Sequence, residues 1–281
     1  MVRRSSLPRK MIYHALVLFF GFLMVYPVLW MVSGSLKTNV EIATGSLSLI
    51  PQHWRWENFT TGWGGFGGIG FGTFFMNSLL IATLSTIGTV ISSSVVAYAF
   101  SRLRFRGRKI WFSIMLGTMM IPGQVIMIPQ FIIFHRLGLV GTYIPLVLPA
   151  FFGHAFFIFL IMQFMVSIPK ELDEAAIVDG CNKYTVFTRI IFPLLKPALI
   201  TSAIIQFYWA WDDFLGPLIY ITDPNRYTVS LALRMFADTA SVTDFGAMFA
   251  MSTLSLMPVF IMFLIFNKKL VEGINTSGIK G

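Results

Sequence analysis

Charged side chains are scarce in this sequence: of its 281 residues, only 12% are Asp, Glu, Lys or Arg. Soluble domains carry about a quarter of such residues, whereas here 56% of the residues are hydrophobic and the mean hydropathy is +0.75. These values exclude an ordinary soluble globular protein. The net charge of +9 does not indicate a nucleic-acid partner, because most basic residues lie in loops between long apolar runs.

Cysteine is almost absent as well. Cys181 is the only one, which excludes a disulfide framework, and we interpret it as a small packing residue. The four histidines show no metal-ligand spacing, and His14 and His154, alone in apolar surroundings, are expected to be packed. No nucleophile–base constellation and no Walker A lysine occurs, so the sequence predicts neither a catalytic residue nor a cofactor.

Six apolar runs are long enough to cross the roughly 30 Å of hydrocarbon in a bilayer. The sequence therefore predicts an all-α membrane protein with six transmembrane helices. Prolines within the runs predict kinks or breaks, which neighbouring helices can tolerate. The first run follows basic residues, as in a signal peptide, but its length and the lack of a convincing cleavage site predict a retained anchor. The predicted helices are 11–33, 73–100, 111–134, 143–166, 198–221 and 244–266.

The distribution of lysine and arginine predicts the orientation of the chain. Sixteen of the 21 basic residues lie on one side of the six predicted helices and five lie on the other. The positive-inside rule places the richer side in the cytoplasm. Accordingly, residues 1–10 and 267–281 are predicted to be a cytoplasmic N-terminus and a cytoplasmic tail, 34–72 an outer loop, and 73–266 a five-helix core.

A polar island at 167–197 interrupts the apolar second half of the chain. Acidic residues at 171–174 favour the start of a helix, which we predict over 171–179, and Gly180 permits a sharp turn after it. A second short helix is predicted to be interrupted by the prolines at 193 and 197. Composition alone leaves two interpretations: a solvated loop between membrane helices, or a helix that docks in a cleft of another protein.

The spacing within this island resembles the EAA loop of bacterial ABC importer permeases. Nine positions within 24 residues match that pattern: Glu174, Ala175, Ala176, Asp179, Gly180, Phe187, Ile190, Pro193 and Pro197. The stretch 97–109 resembles the Ala-Tyr-Ala-Phe-Ser-Arg segment of carbohydrate ABC permeases. Pro51, Asn58 and Phe59 also sit as they commonly do before the second helix of sugar permeases, whereas the end of the chain matches the family pattern imperfectly.

This resemblance implies the type I ABC importer permease fold and the role of the smaller membrane subunit of a carbohydrate importer, like that of the maltose system. It implies four partners: a second permease subunit, an ATP-binding-cassette ATPase dimer, an extracytoplasmic sugar-binding protein and membrane lipid. The location that follows is the bacterial cytoplasmic (inner) membrane.

The resemblance also assigns expected roles within the island. Glu174 would pair with a basic residue of the ATPase, Ala175 and Ala176 would allow close docking, and Gly180 would make the turn. The full set of residues expected to couple this chain to the ATPase is Glu171, Glu174, Ala175, Ala176, Asp179 and Gly180.

An aromatic and acidic stretch lies in the outer half of the fifth predicted helix. Aromatic rings can pack against the apolar faces of sugars, and nearby oxygens can bind sugar hydroxyl groups. The alternative is an aromatic belt with a structural ion pair, for example to Arg226 or Arg234. Sugar permeases often have asparagine where this chain has Asp212, so the resemblance alone assigns that residue no role. The candidate substrate-pathway residues are Tyr208, Trp209, Trp211, Asp212 and Asp213.

Three other functions stay open at this point. A member of the same family can import glycerol-phosphate or another polyol. An ion-coupled secondary transporter or channel would show inverted repeats or a polar relay within the membrane, and only the Asp212–Asp213 pair suggests one. A sugar-sensing or structural membrane protein would have no ATPase partner.

Overall fold

The computed structural model describes residues 7–45, 47–237 and 244–278. Apart from an isolated bridge between Phe66 and Ile69, the regular elements in these ranges are all helical. In chain order they are α1 (Leu7–Gly34), α2 (Asn39–Ala43), α3 (Glu57–Gly64), α4 (Phe71–Arg102), α5 (Arg108–Thr118), α6 (Gly123–Arg136), α7 (Ile144–Val147), α8 (Ala155–Val166), α9 (Glu171–Val178), α10 (Lys183–Val186), α11 (Phe192–Leu194), α12 (Lys196–Asp212), α13 (Leu215–Tyr220), α14 (Val229–Ala237) and α15 (Phe245–Gly278). A π-helical turn, Phe187–Ile191, joins α10 to α11.

Four helical stretches are long and apolar enough to cross a membrane as single spans: Lys10–Gly34, Phe71–Arg102, Ile144–Val166 and Phe245–Phe266. They correspond to the first, second, fourth and sixth helices predicted from the sequence. Two pairs of shorter helices are long and apolar enough only when each pair is taken together. Counting each pair as one span gives six within the described residues, which agrees with the predicted number.

The third predicted helix, 111–134, is not one continuous helix, and a break of this kind is what the prolines within the run predict. The chain instead forms α5 and α6, which meet at an angle of 99°. Pro122 lies at this break with φ −59° and ψ 134°, and because proline offers no N–H it cannot continue the hydrogen bonds of the preceding helix. Pro129, by contrast, lies inside α6.

The fifth predicted helix, 198–221, was wrong at its outer end. α12 ends at Asp212, and the backbone turns at Asp213 (ψ 120°) before the short α13 begins. At its other end, α12 follows Lys183–Leu194, the second helix of the polar island, with a bend of 74°. The predicted interruption of that helix near its prolines is therefore confirmed, and the aromatic stretch occupies the last turns of α12.

The sixth helix is longer than predicted. α15 continues past residue 266 as far as Gly278, with Pro258 inside it. The predicted tail, 267–281, is thus helical over most of its length, and its last three residues lie outside the described part of the chain.

The chain forms two compact units: residues 1–71 with 232–257, and residues 72–231 with 258–281. In the first unit, almost every apolar side chain of α1 from Met11 to Val32 is exposed. Such a surface suits a helix that lies in lipid, because contact with hydrocarbon carries no free-energy penalty for an apolar side chain. His14 is among the exposed residues of α1, so the expectation that it is packed was wrong.

The loop after α1, also in the first unit, is held by one buried amide. The Nδ2 group of Asn58 donates to the carbonyls of Ser35 at 3.0 Å and Lys37 at 2.8 Å. A Cβ atom added to Gly246 would lie only 2.6 Å from Asn58 Nδ2, so glycine is needed where α15 passes this amide. The asparagine expected before the second helix therefore has a structural role.

In the second unit, hydroxyl groups of α4 bind carbonyls of the segment around α7 and the start of α8. Ser85 Oγ donates to Leu146 O at 3.3 Å, and Ser92 Oγ donates to Ala150 O at 2.9 Å. Ser93 Oγ accepts from the backbone N–H of His154 at 3.3 Å. Side chains of this kind satisfy backbone groups that a broken membrane helix leaves without helical partners.

The core of the second unit lies where the C-terminal half of α4 meets α8 and the helices of the polar island. Buried apolar side chains from all of these elements form one cluster: Ala97, Tyr98, Phe100, Ile158, Ile161, Met165, Ile168, Ala176, Val186, Ile191, Leu195 and Leu199. The polar island is therefore not a loose loop, because its helices share their core with two membrane helices.

Candidate functional site

The polar island is attached to the rest of the second unit by a buried ion pair. Arg102, the last residue of α4, lies with Nε 3.0 Å from Oδ2 of Asp173 in α9, and the two side chains are 6% and 13% exposed. The same guanidinium donates to the carbonyls of Met165, at 3.3 Å, and Ile168, at 2.7 Å. Arg102 thus connects α4 to the end of α8 through two charge-assisted hydrogen bonds, which are the strong class, and to α9 through the ion pair with Asp173.

The environment of Asp173 acts on its protonation in two opposing ways. Burial raises the pKa of the Asp173 carboxyl above its ordinary value, and the Arg102 guanidinium opposes that rise. A carboxylate in such a place is costly without its partner. The position of α9 therefore depends on Arg102.

Ala176 faces the chain's own core. It is 5% exposed and belongs to the apolar cluster that includes Tyr98. The hydroxyl group of Tyr98 donates to the carbonyl of Lys183 at 3.2 Å, just after the turn that follows α9. The small side chain of Ala176 thus permits a close approach between α9 and its own membrane helices, and Ala175, which is exposed, keeps the expected outward position.

Apart from Asp173 and Ala176, every residue of α9 is exposed. Glu171, Glu174 and Asp179 are exposed and form no ion pair within the described part of the chain. Apolar side chains lie among these carboxylates, and Val178, at 86%, is the most exposed of them. The exposed apolar residues of this surface are Leu172, Ile177, Val178 and Tyr184. We call this set, with the three carboxylates and Ala175, the outer face of α9.

The turn after α9 has the geometry that its glycine predicts. Gly180 has φ +84°, a conformation that side-chain-bearing residues rarely adopt. Its N–H donates to Ile177 O at 3.0 Å, and Cys181 N–H donates to Ala176 O at 2.9 Å. Cys181 is half-buried against the core cluster, which agrees with its interpretation as a small packing residue. The predicted turn at Gly180 is confirmed.

The aromatic stretch of α12 divides into two groups, of which the first is structural. Trp211 is 6% exposed, stacks on Phe207 at 5.8 Å and meets the edge of Phe75 at 5.2 Å between ring centroids. Asp213 Oδ1 accepts from the backbone N–H of Gly216 at 3.1 Å, so its carboxylate caps α13. Both residues serve the fold of the second unit.

The second group faces an open cavity of about 490 Å³. Tyr208, Trp209 and Asp212 lie on this side of α12 and are all exposed. The other polar side chains that line the cavity are Ser85, His154, Gln206 and Asp213. The ring of His154 packs against Phe157 at 5.4 Å and Trp209 at 5.9 Å between ring centroids, as expected, but the residue is also exposed to the cavity. His154 lies directly before α8, where the fourth span is broken, and this position brings its side chain close to α12. The sequence does not reveal that break.

The alternative ion pair with Arg226 is not formed. Arg226 lies 3.9 Å from Asp223 and donates to Gly141 O at 2.6 Å. Its partners therefore belong to the loop between α13 and α14 and to the segment before α7, not to the end of α12.

Residues 89–275 match the family of binding-protein-dependent transport system inner membrane components. The chain is 39% identical over 257 residues to the probable ABC transporter permease protein YurM of Bacillus subtilis (strain 168), covering 91% of this chain and 84% of that one. It is 32% identical over 287 residues to the arabinooligosaccharides transport system permease protein AraQ of the same organism, covering both completely.

Two further likenesses extend this set. The trehalose/maltose transport system permease protein MalG of Thermococcus litoralis is 34% identical over 212 residues, which are 75% of this chain and 76% of that one. Among solved structures, a chain of a bacterial ABC transporter involved in the import of the acidic polysaccharide alginate superposes with a TM-score of 0.85 at 22% identity, covering 96% of this chain and 99% of that one. At that identity the likeness establishes the fold.

Proposed function

Because the chain belongs to the family of binding-protein-dependent transport system inner membrane components, we propose that it is the smaller membrane subunit of an ATP-driven importer of a mono- or oligosaccharide. Its fold is that of an ABC importer permease. Relatives along most of its length are named for the transport of arabinooligosaccharides and of trehalose/maltose, which supports a sugar as the substrate. Membership of this family excludes an ion-coupled transporter and a purely structural membrane protein.

The outer face of α9 is the observation that carries the coupling mechanism. It combines exposed carboxylates with exposed apolar side chains on a helix whose other face is fixed by the core cluster and by Arg102. An eight-residue helix is too short to be stable alone in water, so this attachment to the membrane helices keeps it helical. A force applied to its outer face is therefore passed to α4 and α8.

Three protein partners, together with membrane lipid, complete the proposed importer. An extracytoplasmic binding protein delivers the sugar to this chain and a second permease, and an ATP-binding-cassette ATPase dimer, made of separate subunits, hydrolyses ATP. In support, one solved alginate transporter, similar in fold with a TM-score of 0.65, was determined in complex with a periplasmic protein bound to an alginate pentasaccharide.

In the proposed cycle, ATP binding closes the ATPase dimer, and α9, docked in a cleft of one ATPase subunit, passes that movement to the membrane helices. Glu174 pairs with a basic residue of the cleft, next to Ala175, where the small side chain allows close contact. The pathway then opens outward, and hydrolysis returns it to the inward-facing state. The excess of basic residues on one side supports a cytoplasmic position for α9 and for both termini.

The proposal is tested by the charge reversal Glu174→Lys in the assembled importer. Because removing one partner of a desolvated ion pair costs a few kcal/mol, uptake of the sugar should fall by more than roughly tenfold. The reversal Glu57→Lys, at another exposed acidic residue, is the matched control and should leave uptake unchanged. Normal uptake of the sugar by the Glu174→Lys importer would contradict the proposed coupling role of this residue.

A second measurement tests the assembly itself. The tagged chain is extracted from its native membrane in mild detergent, and the proteins that co-purify are identified. A second multi-span permease together with a P-loop ATPase is the expected result. A chain that purifies alone, or only with copies of itself, contradicts the importer proposal.

A further inference from the structure

The cavity at the end of α12 has the size of a small-molecule site. Its volume of about 490 Å³ falls within the range of roughly 300–1,000 Å³ that such sites occupy. His154 and Trp209 also border a second cavity, of about 790 Å³, that lies beside α5, α6 and α8. These two side chains therefore stand between two spaces, and a molecule that moves from one space to the other passes them.

Two exposed aromatic rings form one wall of the cavity. Tyr208 is 47% exposed and Trp209 is 42% exposed, although both lie within a membrane protein's apolar helix. The indole of Trp209 is held from behind by Phe156 at 5.3 Å and Phe157 at 5.2 Å between ring centroids. His154 also meets this ring, at 5.9 Å between centroids. The exposed part of a ring fixed in this way is suited to pack against the C–H face of a sugar, because binding costs little side-chain entropy.

Hydrogen-bonding groups lie beside these rings. The side chains of Gln206 and Asp212 form no hydrogen bond or ion pair with any residue that the structure describes, and His154 offers an imidazole that can donate and accept. A polar group without a partner in its own chain, within a membrane segment, faces water, a ligand or the second permease, since hydrocarbon would leave it unsatisfied. The cavity is therefore polar enough to hold hydroxyl groups.

The charge of the cavity has one sign. Asp212 and Asp213 contribute carboxylates, and no lysine or arginine is among the described residues that line it. Asp213 Oδ1 is engaged by the N–H of Gly216, whereas Asp212 is exposed. Such a site attracts cations and repels anions, and an unpaired like charge is an effective way to reject a ligand.

From this geometry we propose that the transported sugar contacts this subunit at the cavity of His154, Gln206, Tyr208, Trp209 and Asp212, and that Asp212 restricts the pathway to sugars without negative charge. Trp209 binds the apolar face of the sugar, and Asp212 and Gln206 bind its hydroxyl groups. Uronic acid sugars, sulfonated sugars and glycerol-phosphate are rejected. This inference rests on the proposed sugar import and adds the class of sugar and the residues that select it.

The charge of the cavity is measured without knowledge of the natural sugar. Cys181→Ser removes the only cysteine of the chain, and Gln206→Cys then places one thiol in the cavity wall of the assembled importer. The rates of its reaction with a cationic and an anionic methanethiosulfonate of similar size are followed by the mass of this chain. Thr60→Cys, at an exposed position of α3, supplies the reference ratio.

The cationic reagent should react at Gln206→Cys at least roughly tenfold faster, relative to the reference, because a charged cleft concentrates counter-ions by about 10–10³-fold. Adding Asp212→Asn should bring the ratio close to that of Thr60→Cys. Equal rates for the two reagents, a ratio that Asp212→Asn leaves unchanged, or no reaction at all would each overturn the proposal.

Uptake separates this proposal from the proposed function. The importer is assayed with radiolabelled maltose, trehalose and an arabinooligosaccharide, with a galacturonate disaccharide and glycerol 3-phosphate as anionic probes. Trp209→Ala should raise the KM of the uncharged sugar that is transported by roughly three- to tenfold. Failure of the wild-type importer to transport any uncharged sugar contradicts the sugar-import function. Normal wild-type uptake that Trp209→Ala leaves unaltered contradicts only the cavity proposal.

Discussion

Arg102 Nε and Asp173 Oδ2 are 3.0 Å apart in a position that is almost closed to solvent. Arg102 ends a membrane helix, and Asp173 lies in the first turn of the short helix proposed to meet the ATPase. The stretch 97–109 and the EAA-like island are recognisable separately in the sequence, and this ion pair joins them, together with the hydrogen bond from Tyr98 to Lys183 O. It holds α9 on its buried side, while the outer face of α9 is exposed.

We expect that removing one partner of this pair destabilises the second unit. Arg102→Ala leaves Asp173 buried without its counter-charge, which costs about 3–5 kcal/mol. The apolar double variant Arg102→Met with Asp173→Leu leaves no unpaired charge and should recover most of that loss. Thermal unfolding of the detergent-solubilised importer, followed through this chain, measures both effects.

The neighbouring variant Arg104→Ala is the control for the ion pair. Arg104 is exposed, and surface charges contribute about 0–1 kcal/mol, so its unfolding temperature should equal that of the wild type. If Arg102→Ala were as stable as Arg104→Ala, the pair would have no part in holding α9.

Gly180 gives a prediction about backbone geometry alone. A Cβ atom added there would meet no other atom within 4 Å, but φ is +84°, a conformation that costs a residue with a side chain about 1–2 kcal/mol. Gly180→Ala should therefore be destabilising by about that amount, and Gly180→Val by more, because a β-branched residue tolerates positive φ less well.

The matched control for Gly180 is Gly21→Ala. A Cβ atom at Gly21 also meets nothing within 4 Å, but Gly21 lies in the regular helix α1, where alanine is favoured over glycine. Thermal unfolding should show a loss for Gly180→Ala and none for Gly21→Ala. Equal behaviour of the two variants would contradict the role of φ at residue 180.

Hydropathy and motif spacing are sufficient to predict the helical spans and the turn of the coupling loop, since each depends on local residue types. The difference between Pro122 and Pro129 is not local. The helix breaks at the first and continues through the second, although both prolines lie in the same apolar run. Which proline breaks the helix depends on the packing of α5 and α6, and that packing cannot be predicted from local residue types.

The same limit applies at the end of α12. Asp212 and Asp213 are chemically identical neighbours and both line the cavity, yet Asp212 is exposed there, whereas the carboxylate of Asp213 accepts from the N–H of Gly216 at the start of α13. Trp209 and Trp211 are two residues apart in a helix and therefore point to different sides, but periodicity does not say which side is the core. Once the end of α12 is known, all four assignments follow from helix geometry.

A double-mutant cycle can test the buried amide of the first unit. Asn58→Ala removes two hydrogen bonds and leaves the carbonyls of Ser35 and Lys37 without this donor, which costs about 1–3 kcal/mol for each buried group. Gly246→Ala is destabilising for a different reason, because its Cβ would press on the Asn58 side chain. Truncating Asn58 makes room for that Cβ atom.

The two changes should therefore be less harmful together than the sum of their separate effects. Residues in contact commonly show coupling energies of about 0.5–3 kcal/mol, and unfolding of the four proteins of the cycle measures this value. Thr60→Ala, at an exposed position of α3, serves as a neutral substitution. Strict additivity of Asn58→Ala and Gly246→Ala would show that the close approach is relieved in some other way.

The tryptophans of α12 separate a stabilising role from a transport role within one helix. Trp211 is buried against Phe207 and Phe75, so Trp211→Ala should cost about 3–5 kcal/mol of stability. Trp209→Ala removes a ring that is 42% exposed and should change the unfolding temperature much less, while it weakens the uptake of an uncharged sugar. Measuring the unfolding temperature and the sugar uptake of both variants in the assembled importer distinguishes the two roles. If Trp209→Ala unfolded as readily as Trp211→Ala, both rings would belong to the core.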